Sequence, residues 1–211
     1  MTEQLKTGTT TLGIICKDGI VLAADKRTSA GYMIANKRTN KINQISDYAV
    51  ITQAGLVSDA QLLTRIIKAQ IKLEEMRRSS PLHMKEVANL LASLLYTNIR
   101  RMSMVQSIVG FLLAGKDSKG FHLYDLGIDG SVTKFDDYAS TGSGSNFAMG
   151  VLESSYTKNM SLEEGIKLGM KAINTAMQRD MASGGGVDVV TITSKGVERV
   201  VEEILDTNLK L

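Results

Sequence analysis

The sequence predicts an α+β protein in four layers: an αββα sandwich of two mainly antiparallel sheets, with a helix pair on each outer side. Three observations carry this expectation. The hydrophobic period alternates along the chain in the order strands, two helices, strands, two helices, strands. The strands come in pairs split by short turn signals, which favours antiparallel neighbours. The apolar runs, such as "SIVGFLLAG" at 107–115, are nearly continuous. Strands buried on both faces read this way, whereas half-exposed strands alternate.

Each element follows from its own pattern. "TTTLGIIC" and "IVLAADKR" are split by Lys17-Asp18-Gly19, a hairpin signal. "NKINQIS" and "YAVITQAG" form a second pair, split at Asp47. From Ser58 to Arg78 the pattern turns helical, with Leu63, Ile67 and Ile71 at i+4 spacing. The one proline, Pro81, separates this helix from a second. In the second, Val87, Leu90, Leu91, Leu94 and Leu95 build one wide apolar face. Helices joined by so short a loop are expected to lie antiparallel. Strands return in "QSIVGFLLAGKD", "GFHLYDLG", "GSVTKFD" and "YAST". Helices follow at Asn146–Ser155 and Ser161–Arg179, the latter opened by a capping box of Ser161 and Glu164. "VDVVTITS" and "GVERVVEEI" close the chain as two strands about a Ser-Lys-Gly turn.

Composition excludes several classes of function. Hydrophobic residues make up 43% of the 211 and charged residues 22%, the balance of a folded globular chain. A net charge of +3, spread along the chain, is too mild for a nucleic-acid stripe. A single cysteine, Cys16, cannot form an internal disulfide, so a reducing compartment and a cytoplasmic location are expected. Cys16 sits in an apolar strand and reads as a small hydrophobe. His83 and His122 stand far apart, with no Cys or His near either, and no zinc site is expected. No apolar stretch approaches the ~20 residues of a membrane helix, and the N-terminus lacks the apolar core of a signal peptide.

Two glycine-rich stretches, "TGSGS" at 141–145 and "SGGGVD" at 183–188, invite a phosphate-loop reading. Neither is followed by Lys-Ser/Thr, and neither matches a dinucleotide fingerprint. They read as turns and close backbone approaches, although the amides of "TGSGS" enter a helix and could still face an anion. Gly184 suits a helix C-terminal turn. Asp180, at the end of the same helix, opposes the helix dipole and needs a compensating reason. At the other end of the chain, Gly8 precedes three threonines. Strand propensity accounts for Thr10 and Thr11. It does not account for Gly8 or for the polar leader before it.

"TGTTTLGIICKDGIVLAADKR", "NKINQI", "TQAGLVSDAQ", "STGSGSNFAMGVLE" and "RDMASGGGVDVV" together resemble the β-type subunits of the proteasome core particle, most closely the archaeal form. The resemblance runs from Thr7 to about Thr193 in order and spacing. It implies the fold of N-terminal-nucleophile hydrolases and the activity of a threonine endopeptidase. It also implies a precursor that cuts itself between Gly8 and Thr9, so that residues 1–8 are a propeptide and 9–211 the single catalytic domain. Thr9 would then carry both a hydroxyl nucleophile and a free α-amine, whose ordinary pKa of about 7.7–8.0 suits proton transfer near neutrality.

The resemblance assigns the surrounding roles position by position. Lys41 would favour the ionised Thr9 hydroxyl, and Asp25 would hold Lys41 charged and oriented. Ser143, Asp180 and Ser183 would hydrogen-bond around the Thr9 amine. Gly55 would offer its backbone N–H to the oxyanion. Thr28, Ala35, Thr39, Gln53 and Val57 would line the pocket for the substrate side chain. Alone, Lys41 would read as a surface lysine, Asp25 as a hairpin-end residue and the serines as turn residues; the joint pattern overturns those readings. Two positions depart from the family. Met181 stands where Ser is frequent, and Gln53 puts a polar group on a pocket floor that is often apolar or small.

The implied partners are other β subunits in a heptameric ring, proteasome α subunits, a regulatory ATPase ring and unfolded polypeptide. No cofactor, nucleic acid or membrane is implied. Two rival readings are a scaffold subunit that never matures, and another enzyme of the same nucleophile class, such as an amidohydrolase or the simpler bacterial threonine protease. The intact Gly8, Thr9, Asp25, Lys41 and Asp180 set speaks against the first. The "RDMASGGGVD" order and the cleavable leader speak against the second.

Overall fold

The computed structural model describes residues 8–104 and 106–205. In chain order the elements are β1 (Thr10–Cys16), β2 (Gly19–Asp25), β3 (Thr28–Ala30), β4 (Met33–Asn36), β5 (Ile42–Gln44) and β6 (Ala49–Gly55). Then come α1 (Val57–Arg78), α2 (Met84–Arg100), β7 (Val109–Asp117), β8 (Gly120–Leu126), β9 (Val132–Phe135) and β10 (Tyr138–Gly142). The chain closes with α3 (Ser145–Ser155), α4 (Leu162–Arg179), β11 (Gly186–Thr193) and β12 (Gly196–Ile204).

Ten of these strands form two five-stranded antiparallel sheets, ordered β10-β1-β2-β11-β12 and β5-β6-β7-β8-β9. Period-2 alternation explains how they stack. Along β1 and β2, Leu12, Ile14, Cys16, Val21 and Ala23 face one way and pack under α3 and α4 with Ala148, Leu152, Leu168 and Ile173. Ile20, Leu22 and Ala24 face the other way and meet Ile42, Val50, Leu112 and Leu123 of the second sheet. The far side of that sheet, with Ile51, Phe111 and Leu113, packs against Leu63, Ile67, Val87 and Leu91 of α1 and α2. Three apolar layers separate four structural ones, so the central strands of both sheets are buried on both faces and the αββα expectation holds.

The local signals hold in most places. Ser161 caps α4: its hydroxyl accepts the Glu164 N–H at 3.3 Å, and its own N–H donates to the Glu164 carboxylate at 2.8 Å. Such a cap is worth about 1 kcal/mol. The β1–β2 turn falls where Lys17-Asp18-Gly19 places it, with Cys16 opposite Gly19. Gly19 serves packing there, because a Cβ on it would lie 2.4 Å from the Ile192 carbonyl oxygen. The small β3–β4 hairpin was not expected. Its strands are short, and Tyr32, Met33 and Ile34 are exposed, so no burial pattern marks it.

One expectation is corrected. Gly184 does not terminate α4. The helix ends at Arg179, and Asp180 leaves it in an extended conformation with φ −93° and ψ 117°. Gly184 lies beyond, in the loop that leads into β11, where its N–H donates to Asp25.

Candidate active site

The site forms where the strands of both sheets begin or end. Thr9 directly precedes β1. Strand β1 lies between β10 and β2, with Thr10 opposite Gly142 and Thr11 opposite Ala24. That pairing brings Ser143, just past β10, and Asp25, the last residue of β2, to either side of the β1 start. Strand β11 pairs with β2 so that Val187 faces Asp25, which delivers the preceding 180–185 loop to the same place. Lys41 and Gly55 arrive from the second sheet, at the start of β5 and the end of β6.

Asp25 is the hub of the first cluster. It is fully buried, and its carboxylate accepts four hydrogen bonds. Oδ1 takes the Thr10 N–H at 2.8 Å and Lys41 Nζ at 2.6 Å; Oδ2 takes the Arg27 and Gly184 N–H groups at 3.0 and 2.9 Å. Lys41 is 2% exposed, so this ion pair is dry. A buried charge persists only when paired and hydrogen-bonded. Burial holds the Lys41 ammonium below its ordinary value of 10.5. The Asp25 charge and hydrogen bond, and the Asp180 charge, pull it back up, while Arg27 adds to the lowering.

Asp180 is the hub of the second cluster. Its Oδ2 accepts the Ser143 and Ser183 hydroxyls, both at 2.6 Å, and its Oδ1 accepts the Ala182 N–H at 3.2 Å. These donors supply the compensation that an acid at a helix C-terminus needs. A hydroxyl has one proton to give. With both serine protons directed to Asp180, Ser143 is free to accept the Thr9 N–H at 3.2 Å, and Ser183 to accept the Thr10 hydroxyl at 2.7 Å. Two relays, one from Thr9 and one from Thr10, converge on a single carboxylate.

Thr9 is 6% exposed, and its hydroxyl donates to the Gly8 carbonyl oxygen at 2.7 Å. Gly8 is itself buried against Ala182: a Cβ added to it would sit 1.7 Å from the Ala182 Cβ. Residues 1–7 of the expected propeptide lie outside the described residues. Gly8, Thr9, Lys41 and Gly55 line one small pocket with Thr28, Thr39, Gln53 and Val57, leaving about 10 Å³ of free space. That is close to the room a single water needs. Ala35 does not join them; it is exposed on β4.

The structure therefore gathers Thr9, Asp25, Lys41, Gly55, Ser143, Asp180 and Ser183 at one place, with four of the five expected pocket residues. Thr10 was missed. Strand propensity explained it fully, yet its N–H holds Asp25 and its hydroxyl holds Ser183. Met181 is 81% exposed, so the departure there points to solvent and leaves both relays intact. Cys16 stays outside the site. Burial first, then the charges of Glu164 and Asp18, push its thiol up to about 11. Among the described residues no three Cys, His, Asp or Glu groups are placed to hold a metal, and no helix is long and apolar enough to cross a membrane.

A protein-family model described as "Proteasome subunit" matches residues 5–192. The chain belongs to the proteasome subunit family. It is 41% identical over 204 residues to Proteasome subunit beta of Archaeoglobus profundus, covering 97% of this chain and 93% of that one. It is 42% identical to Proteasome subunit beta 1 of Thermococcus kodakarensis, with both chains covered in full. Proteasome subunit beta 2 of Aeropyrum pernix is 44% identical over 92% of this chain and 86% of its own. The resemblance to archaeal β-type proteasome subunits is thereby borne out, and the sandwich described above is the one that family implies.

Proposed function

We propose that this chain is a threonine endopeptidase of the proteasome core, made as a precursor that cuts itself at Gly8–Thr9. The observation that carries the reading is the Thr9 hydroxyl held on the Gly8 carbonyl, inside the two clusters built on Asp25 and Asp180.

The chemistry follows from those contacts. In the precursor, Thr9 Oγ1 attacks the Gly8 carbonyl carbon and gives its proton to a base, most simply a water in the pocket. The Gly8–Thr9 C–N bond breaks, the nitrogen takes up a proton, and residue 8 is left as an ester on Oγ1. Water hydrolyses that ester, so residues 1–8 depart and Thr9 begins the catalytic domain 9–211. The freed α-amine stays beside the Ser143–Asp180 relay that held it as an amide. In peptide cleavage this amine accepts the Oγ1 proton as Oγ1 attacks, then delivers it to the departing amine of the substrate. Charged Lys41 favours the developing alkoxide; two unit charges about 4 Å apart interact by roughly 4 kcal/mol at an effective dielectric near 20, which bounds its contribution from above. The Gly55 N–H is assigned to the oxyanion. Thr28, Thr39, Gln53 and Val57 receive the substrate side chain. Ala35, exposed on β4, is not among them.

The chain works in an assembly with other β subunits and with α subunits. Unfolded polypeptide, fed by a regulatory ATPase ring, is the substrate class, and the cytoplasm is the location. The test is an intact mass of the chain from the assembled particle, beside a Thr9→Ala control. The expected result is loss of residues 1–8 in the wild type alone, with peptidase activity absent from the control. A full-length wild-type chain in a complete particle would overturn the reading and leave a scaffold subunit.

A further inference from the structure

The small pocket beside Thr9 does not end at Gln53. A groove of about 540 Å³ adjoins it, and the two share Thr39 and Gln53 as common walls. The side chain of a substrate residue entering beside Thr9 would therefore point over Gln53 into this groove. Its character is one-sided. Arg38, Arg65 and Lys68 line it, and among the described residues no Asp or Glu does. Arg65 and Lys68 stand three residues apart on α1, hence on one helix face. Among the described residues none of the three cations forms an ion pair. Nearby Lys26 and Arg199, by contrast, are matched to Glu202 and Asp188. At the floor, Asn43 Nδ2 donates to the side-chain oxygen Oε1 of Gln53 at 3.4 Å, so the floor is polar as well.

We propose that Arg65 and Lys68, with Arg38, set the cleavage preference of this chain, directing it to peptide bonds that follow an acidic residue. This rests on the protease reading above. An aliphatic side chain gains nothing from desolvating an amide floor. A basic side chain meets three like charges. A glutamate carboxylate meets uncommitted cations and a hydrogen-bonding floor. Because the cations are solvent-accessible, each contributes modestly and in a salt-dependent way.

The test uses assembled particles whose chain has lost residues 1–8. Three fluorogenic peptides differ only in the residue before the cleaved bond: Glu, Leu or Arg. The expected order of kcat/KM has Glu first and Arg last, after subtraction of a Thr9→Ala particle. In Arg65→Glu/Lys68→Glu the Glu-to-Leu ratio should fall about three- to ten-fold and cleavage after Arg should rise, given the usual strength of exposed ion pairs. The ratio should also fall in 1 M salt. If the double reversal fails to assemble, Arg65→Ala/Lys68→Ala gives the same test with a smaller fall. Thr9-dependent cleavage led by Leu or Arg, or a Glu-to-Leu ratio unmoved by either variant, overturns this proposal and leaves the protease reading standing. A particle that has lost residues 1–8 and cleaves none of the peptides overturns both.

Discussion

Gly8→Ala separates the self-cleavage step from every later one. A Cβ at residue 8 would lie 1.7 Å from the Ala182 Cβ, 2.8 Å from its Cα and 3.1 Å from its carbonyl carbon. Carbon atoms rest near 3.5–4.0 Å, so the closest overlap is about 2 Å. Ala182 has no rotamer to change. Its N–H is tied to Asp180, and its carbonyl oxygen accepts the Ser29 hydroxyl at 3.1 Å. The strain must therefore move residue 8, and with it the carbonyl that Thr9 Oγ1 attacks. A displacement of about 1 Å from a near-attack geometry costs about 10²-fold in rate. Gly8→Ala is expected to slow loss of residues 1–8 by about that factor or more. The substitution leaves with the propeptide, so chains that do mature should show wild-type peptidase activity per mature chain. Intact mass over time, with activity normalised to the mature fraction, reads both quantities. Pairing it with Ala182→Gly removes the worst contact and should recover part of the rate. Processing of Gly8→Ala at the wild-type rate would refute the packing argument, and reduced activity per mature chain would show that the effect lies elsewhere.

Other outcomes follow from the same contacts. Asp25→Asn leaves Lys41 charged and unpaired in a dry site, a loss of about 3–5 kcal/mol of stability by the usual cost of breaking a buried pair, measurable by denaturant titration and accompanied by loss of activity. Burial lowers the Lys41 pKa, so its charge is lost as pH rises through a value below 10.5; the alkaline limb of kcat/KM should fall below that pH. Asp25 acts to raise that pKa, so any residual activity of Asp25→Asn should fall off at still lower pH. With its thiol pushed up to about 11 and packed under α4, Cys16 should resist a thiol reagent at pH 8 until the chain unfolds; rapid labelling of the folded chain would contradict that placement.

The fold was legible because burial on both sheet faces leaves a strong mark. Runs such as "GFLLAG" are apolar at every position, since alternate residues enter different layers: Phe111 and Leu113 meet the helices, while Leu112 and Ala114 meet the other sheet. The β3–β4 hairpin was illegible for the opposite reason. Its apolar side chains, Met33 and Ile34 on β4, are exposed, and the buried residue of β3 is the polar Ser29, so no apolar period marks it. The Lys17-Asp18-Gly19 signal located a turn correctly, but Gly19 is required by the backbone of β11 and not by the turn itself. No local pattern could have shown that constraint, because it acts between strands distant in sequence.

The site was legible only as a whole. Residue by residue, a lysine before a strand and an aspartate at a hairpin end carry no sign that they meet in a dry pair. What marks them physically is cost. Asp25, Lys41 and Ser183 are each 2% exposed or less, in the part of a sandwich where apolar side chains would stabilise more simply. The structure offsets that cost with four donors on Asp25 and three on Asp180, drawn from the β1 start, the β2 end, the β10–α3 turn, the β5 start and the 180–185 loop. Strand ends are where such a set can be assembled, because the backbone N–H groups there have left the ladder and are free to turn inward. Thr10 shows the same logic at one position. Its place in the ladder looks structural, but its amide reaches the Asp25 carboxylate directly and its hydroxyl is linked to the Asp180 carboxylate through Ser183. A substitution that keeps the strand and removes the hydroxyl, Thr10→Val, should therefore preserve the fold while loosening Ser183. The expected result is a lower kcat with little change in the denaturation midpoint. An unchanged kcat would return Thr10 to a purely structural role.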